Sequence, residues 1–430
     1  MKHKLNIITL VSKPFRLYTG LPRDIYILFF ARLVNSMGHF VFPFLTLLLT
    51  EKLGFSPGAA GKWILIATFS SVPGMIAGGK LADIIGRKKI LLISHLLSAA
   101  FFLPCAFMGN SVTMVWFLLG SFFFLGAARP VMMALTTDIT TPDNRQAAFS
   151  FLYLGHNIGF AVGPLIAGFL FNKHLHLIFL GDAVTTFIAA VLILLFVGET
   201  LPTEEDMQRA GDINPEERAE KGSFLKALLR RPFLLAFMFI IMLLNFVYGQ
   251  YEFSLPLQLN YSFGADGAKF FGIVMTFNAI SVTILTTPVI TLIKRNPPVF
   301  NQCIAGLLYA VGFGMIFFLK AFWPYLISVI IWTTGEVISV TNTGAYIANH
   351  TPSSHRGRFN SITPLIMGAG FAVSPVIIGG YIESHSLRDV WILVFWLALI
   401  CTIMLFILGI VEKSIKAGTA KRGYLNSLEE

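Results

Sequence analysis

Gly79-Lys80-Leu81-Ala82-Asp83-Ile84-Ile85-Gly86-Arg87-Lys88-Lys89 is a short, charged, glycine-punctuated stretch set between two long apolar runs. Glycine at 79 and 86 permits close helix approach and a tight turn. Asp83 can meet the N-terminus of a neighbouring helix, and Arg87, next to Lys88, can meet a carboxylate. The surroundings decide which solvent this stretch borders. Hydrophobic residues make up 55% of the 430 and charged residues 13%, with a mean hydropathy of +0.74. A water-soluble globule of this composition would have far too apolar a surface, so lipid is the predicted solvent. Runs long enough to span fall at 24–50, 58–79, 90–108, 112–136, 146–171, 175–198, 232–260, 266–293, 299–319, 322–349, 359–382 and 387–411, which predicts twelve helices.

Lys and Arg gather at the N-terminus, in every second connection beginning with 80–89, and at the C-terminus, while the alternate connections hold few. The basic set is predicted to face the cytoplasm, with both termini, in a multi-pass protein of the cell membrane. The net charge of +10 then reflects topology and lipid contact, and no nucleic-acid partner is expected. Residues 1–23 read as a cytoplasmic lead without a small-residue cleavage site. They are followed by a six-helix bundle (24–198), a polar cytoplasmic linker (199–231), a second bundle (232–411) and a cytoplasmic tail (412–430). Cys105, Cys303 and Cys401 lie in apolar runs without metal-ligand spacing and read as packing residues, so no metal is expected.

Gly159-Phe-Ala-Val-Gly163-Pro164-Leu-Ile-Ala-Gly168 recurs as Gly370-Phe-Ala-Val-Ser374-Pro375-Val-Ile-Ile-Gly379, 211 residues on, and Arg145 recurs as Arg356 at the same offset. The chain reads as a duplication with parallel halves, which predicts a pseudo-two-fold axis along the membrane normal and a substrate cavity between the halves. The second half has no true copy of the 79–89 stretch, only Lys294-Arg295 before Asn296-Pro297-Pro298.

The stretch fits G-x-L-A-D-x-x-G-R-K, and on that pattern the chain resembles the major facilitator superfamily, whose loop between helices 2 and 3 carries it. The resemblance implies an all-α membrane protein of twelve transmembrane helices in two pseudo-symmetric six-helix bundles, working by alternating access. It also implies a gating role for Gly79, Asp83, Gly86, Arg87 and Lys88. Asp138, closing helix 4, can pair with Arg87 or with Arg145; the resemblance implies that Asp83, Arg87 and Asp138 lock the outward-open form, and the alternative is a helix cap or a solvated loop acid. Gly159, Gly163, Pro164 and Gly168 resemble the helix 5 motif of drug/proton antiporters, with Ala167 in place of a glycine. Small residues every four positions are expected to pack helix 5 on helix 8. The chain departs from those antiporters in helix 4, where Ser121-Phe122-Phe123 stands in place of an arginine and Arg129-Pro130 comes later.

Gly58-Ala-Ala-Gly61-Lys62 lacks the spacing of a phosphate loop, so the energy is expected from an ion gradient, which requires a protonatable acid inside the membrane. Glu336 lies about thirteen residues into its span, near the bilayer centre at ~1.5 Å per residue. A carboxylate there costs about 2.5–3.5 kcal/mol on insertion scales, which predicts that it faces a cavity or is paired with a cation. Glu252, in Gln250-Tyr251-Glu252-Phe253-Ser254-Leu255-Pro256, sits in an outer half-span that Pro256 can bend, and is either functional or simply hydrated. These two segments resemble helices 7 and 10 of bacterial proton/multidrug antiporters, and the resemblance implies proton or cationic-drug handling by Glu252 and Glu336. Arg32, Asn35 and His39 lie along one face of helix 1, which should turn inward. Arg32 and Arg129 are cavity cations in this reading, His39 and His156 are candidates for a proton path, and Asn245 either lines the cavity or bonds a neighbouring helix.

The function expected is a proton-coupled efflux antiporter of lipophilic, often cationic drugs, acting as a monomer on protons and a small-molecule substrate among membrane lipids. The alternatives are export or symport of a specific metabolite, metal-chelating compound or lipid, anionic if Arg32 and Arg129 bind it, and a non-transporting receptor. No nucleophile, metal or phosphate constellation converges, so neither an enzyme nor a cofactor is expected.

Overall fold

The computed structural model describes residues 18–201, 231–350 and 356–429, with no side-chain detail at 142, 348, 356–365 and 416–429. Most of the lead and of the 199–231 linker, and the Arg356 side chain, lie outside the described residues. The chain is all-α there. Its helices are α1 (Arg23–Met37), α2 (Pro57–Ile85), α3 (Arg87–Cys105), α4 (Met114–Ile139), α5 (Pro142–Leu170), α6 (Leu175–Phe196), α7 (Pro232–Tyr248), α8 (Gly267–Ile293), α9 (Pro298–Gly314), α10 (Trp323–His350), α11 (Arg356–Ser384) and α12 (Asp389–Glu429). Among the described residues ten helices are long and apolar enough to cross a membrane, one being a 62-residue run, Pro232–Ile293, that contains two of the predicted spans. The first predicted span is not among the ten because it is interrupted. Large apolar side chains such as Ile284, Leu195 and Val340 point outward, the pattern of a lipid-facing surface.

Cα proximity divides the chain into two compact units, one comprising 1–53, 66–213 and 271–279, the other 54–65, 214–270 and 280–430. In the first, α1 packs on α5 and α6, and α3 on α4 and α6; in the second, α7 packs on α11 and α12, and α9 on α10 and α12. The two packing schemes coincide when helix numbers are shifted by six. Gly159 explains part of this: a β-carbon there would lie 2.5 Å from the Leu33 carbonyl oxygen, so α5 touches the α1 backbone, and its counterpart Gly370 brings α11 closer still to the Met242 carbonyl of α7.

Both leading spans are broken at matching positions. α1 stops at Met37, residues 38–44 form turns, and helix resumes as Leu45–Leu47 and a π-helical Leu48–Lys52. The Val41 N–H freed by the break donates to Asp182 Oδ2 at 3.3 Å. α7 stops at Tyr248, passes through a 3₁₀ turn at Gly249–Tyr251 and resumes as Ser254–Phe263. Here Gln250 Nε2 donates to the Phe246 carbonyl at 3.0 Å and Ser254 Oγ to Gln250 Oε1 at 2.6 Å. Gly38 and Gly249 are 211 residues apart, the offset of the sequence repeat. Pro256, expected to bend the span, instead occupies the first turn of the resumed helix, where a missing N–H costs nothing.

The last helix runs on through the stretch read as a tail. Glu412 is buried there, accepting from Tyr346 Oη at 3.1 Å and lying 2.8 Å from His350 Nε2. The Gly58–Gly61 segment packs within the second unit: Glu383 Oε1 accepts from Ser56 Oγ at 2.5 Å and Gly58 N at 3.1 Å, and Gly61 abuts the Pro375 backbone.

Candidate functional site

In the second unit, the break in α7 turns Tyr248 and Tyr251 toward α9 and α10. Tyr248 is hydrogen-bonded to Glu336 of α10 and to Tyr251, whose hydroxyl donates to Glu252 Oε1 at 2.5 Å. Glu336 also lies within electrostatic reach of Tyr251 and of Tyr309. The rings form a continuous wall. Tyr248 lies 4.7 Å from Tyr251, 5.6 Å from Tyr309 and 6.1 Å from Trp332, centroid to centroid, and Tyr251 stacks on Trp332 at 5.8 Å. Glu336 and Glu252 are both half-buried. The sequence singled out the two acids but not this wall, because Tyr309 lies on a different helix from Glu336 and Trp332, one turn before Glu336, reads as an ordinary core residue. Two carboxylates among electron-rich ring faces make an electronegative cluster, a chemistry that suits a cation. Asn245 is an interhelical bonder, donating to the Met367 carbonyl at 3.0 Å.

In the first unit, Arg32 and Arg129 are electrostatic neighbours, and His39 lies within reach of both, as well as of His95 and His156. The His39 and His156 rings are 6.1 Å apart, and His156 Nδ1 pairs with Ser36 Oγ at 2.8 Å. Asn35, placed in the cavity stripe by the sequence, is instead 5% exposed and donates to Thr186 Oγ1 at 3.0 Å, tying α1 to α6. Asp182 went unnoticed in the sequence although a lone acid in a leucine-rich run was signal enough; it is 3% exposed and serves the backbone amides of the α1 break.

The 79–89 stretch forms the end of α2 and the start of α3. Arg87 Nε lies 2.9 Å from Asp138 Oδ2, which also accepts from Thr200 Oγ1 at 3.0 Å. Arg145 does not join the ion pair; its guanidinium donates to the Thr137 and Thr140 carbonyls, both at 3.3 Å, closing the end of α4. Asp83 meets no helix N-terminus in this arrangement, its side chain being 69% exposed and 3.5 Å from Arg87. The acid that caps α3 is Glu199, accepting from the backbone N–H of Arg87 (2.7 Å), Lys88 (3.1 Å) and Lys89 (3.4 Å). Partial desolvation would raise the Glu199 pKa, but the amides of Lys88, Thr200, Arg87 and Lys89 together outweigh it and hold the carboxyl below its ordinary value. Gly86 has φ +122°, and a β-carbon there would collide with the Glu199 carboxylate, so the turn requires glycine. Gly79 borders open space, contrary to the sequence expectation; Gly74 and Gly78 make the close approach, against the Phe123 and Ala127 backbone of α4. Lys88 Nζ donates to the Leu194 carbonyl at 2.8 Å.

The helix 5 glycines divide between two neighbours. Gly159 and Gly163 face α1, whereas Pro164 and Gly168 face Gly272 of α8, and Thr276 Oγ1 donates to the Ala161 carbonyl at 2.7 Å. The expected contact of helix 5 with helix 8 is present for half the motif. Among the described residues no group of three His, Cys, Asp or Glu side chains is arranged to hold a metal ion.

Duplicated helix packing, broken leading spans and ionisable side chains held inside apolar helices define a membrane transporter of the secondary type. The family model of the Major Facilitator Superfamily matches residues 28–363, and the chain belongs to that superfamily. It is 24% identical over 376 residues to a Na(+), Li(+), K(+)/H(+) antiporter of Planococcus maritimus, covering 80% of this chain and 86% of the relative. It is 30% identical over 187 residues to the class H tetracycline resistance protein of Pasteurella multocida, covering 42% and 46% of the two chains. A crystal structure of a POT family transporter in complex with a thioalcohol-conjugated peptide superposes with a TM-score of 0.74 at 15% identity, covering 91% of this chain and 97% of that one. This last likeness is one of fold.

Proposed function

We propose that this chain is a proton-coupled antiporter of the cell membrane that exports lipophilic cations by alternating access, with Glu336 as the exchange site. The observation that carries the reading is the placement of Glu336 halfway along α10, hydrogen-bonded to Tyr248 and bordered by Tyr251 and Tyr309. A carboxylate inside a span is tolerated when it is protonated or when a cation neutralises it. The two conditions exclude each other, and that exclusion couples proton entry to cation release. Ring faces add about 0.5–2 kcal/mol for a cation seated over them, which favours organic cations that shed their water easily. The names of the two relatives, a cation/proton antiporter and a drug-resistance protein, support the same class. Arg87, Asp138 and Glu199 are the gating group in this reading, fastening the ends of α3, α4 and α6 to one another.

The test is flux in proteoliposomes under an imposed pH gradient, with tetraphenylphosphonium, Na⁺, Li⁺ and K⁺ as candidate substrates. Uphill tetraphenylphosphonium movement that collapses with a protonophore is expected, and Glu336→Gln, which removes the exchanging charge, should lower it at least tenfold and weaken tetraphenylphosphonium binding. Wild-type rates in Glu336→Gln would sink the reading, and proton-coupled flux of the alkali ions alone would replace the organic cation by an inorganic one.

A further inference from the structure

The first unit contains a site of opposite sign. Arg32 lies nine residues into α1, about 13 Å along a helix axis rising ~1.5 Å per residue, well inside the span. It is half-buried, and among the described residues it takes part in no ion pair. Arg129, in the middle of α4, is its electrostatic neighbour and is exposed. His39 from the break after α1, His95 from α3 and His156 from α5 complete the group. Asp182 is the only fully buried acid of this unit among the described residues, and it is engaged by the Phe40 and Val41 amides.

One further atom points to a ligand. His95 is 6% exposed, lies within electrostatic reach of Arg32, and its buried Nδ1 has no hydrogen-bond partner. An unsatisfied buried nitrogen is costly unless something supplies the missing bond. Two guanidiniums, each presenting a planar fork of donors, suit a planar oxyanion.

We propose that Arg32, Arg129 and His95 form an anion subsite that takes the carboxylate, or an equally planar oxyanion, of the transported compound. An acid group entering there compensates Arg32 without drawing on Asp182. The subsite lies within the first unit alone, and the cation reading of Glu336 concerns the second. The anion subsite itself does not depend on the cation reading.

Equilibrium dialysis of the purified full-length protein in detergent separates the two, using radiolabelled benzoate, benzylamine and 4-(aminomethyl)benzoate. Saturable benzoate binding is expected. It should be displaced by unlabelled 4-(aminomethyl)benzoate but not by benzylamine, and should weaken at least tenfold in Arg32→Gln. Glu336→Gln should instead weaken benzylamine; failure of that arm alone overturns the cation reading and leaves the anion subsite standing. Benzylamine binding also reports whether Arg32→Gln has folded. If it has not, Arg32→Lys decides, since retained charge without the planar fork should cost benzoate about three- to tenfold. Absence of saturable benzoate binding to the wild type, or unchanged benzoate affinity in a folded Arg32 variant, overturns the anion subsite.

Discussion

Glu199 caps the N-terminus of α3. Three successive backbone N–H groups at the start of α3 converge on its carboxylate, where the helix dipole favours negative charge. Its folded-state pKa is depressed, so its contribution to stability is fully present above the unfolded-state value near 4.3 and is lost as pH falls through the folded value. Replacing Glu199 by Gln should cost about 1 kcal/mol, the typical loss for a helix cap. Melting in detergent should show the variant below wild type at pH 7, with the gap closing as the buffer is taken below pH 4. A constant gap over that range would mean that charge has no part in the cap.

At the level of elements, glycines at 159 and 370 let α5 and α11 touch the backbones of α1 and α7, whereas Gly79 touches nothing. Gly159→Val and Gly370→Val should each lose about 1–3 kcal/mol through overpacking. Gly79→Ala should stay within about 0.5 kcal/mol of wild type. Thermal denaturation followed by size-exclusion chromatography reads all three, and equal tolerance of the valines would refute the close approach. The duplication was legible because such contacts need small residues at fixed spacing, and Gly159 and Gly370 print that need into the sequence. The breaks at 38–44 and 249–253 were less so: Pro256 pointed only to a bend in the second, residues 40–44 are apolar throughout, and the hydrogen bonds that compensate come from remote Asp182 and local Gln250. The cluster of acids and rings was half legible: Glu336 and Glu252 announce themselves as acids in apolar runs, whereas Tyr309 and Trp332 look like ordinary core until the fold gathers them. His95 and Asp182 were readable by the same argument as Glu336 and were passed over.

For the whole molecule, the basic loops argue that the α2–α3 turn and both termini face the cytoplasm, and this orientation is open to direct measurement. In a background with Cys105, Cys303 and Cys401 replaced by serine or alanine, Lys89→Cys should react with a membrane-impermeant maleimide only in inverted vesicles. Lys320→Cys, in the connection between α9 and α10, should react only in intact cells; both positions are exposed. The opposite labelling pattern would invert the topology and, with it, the direction of proton-driven transport.

The paired interruptions at Gly38 and Gly249 are fastened by different chemistry. One joint hangs on a carboxylate, Asp182, and the other on an uncharged amide and hydroxyl, Gln250 and Ser254. Only the first can gain or lose a proton, so of the two matching interruptions one lies open to acidity and the other does not.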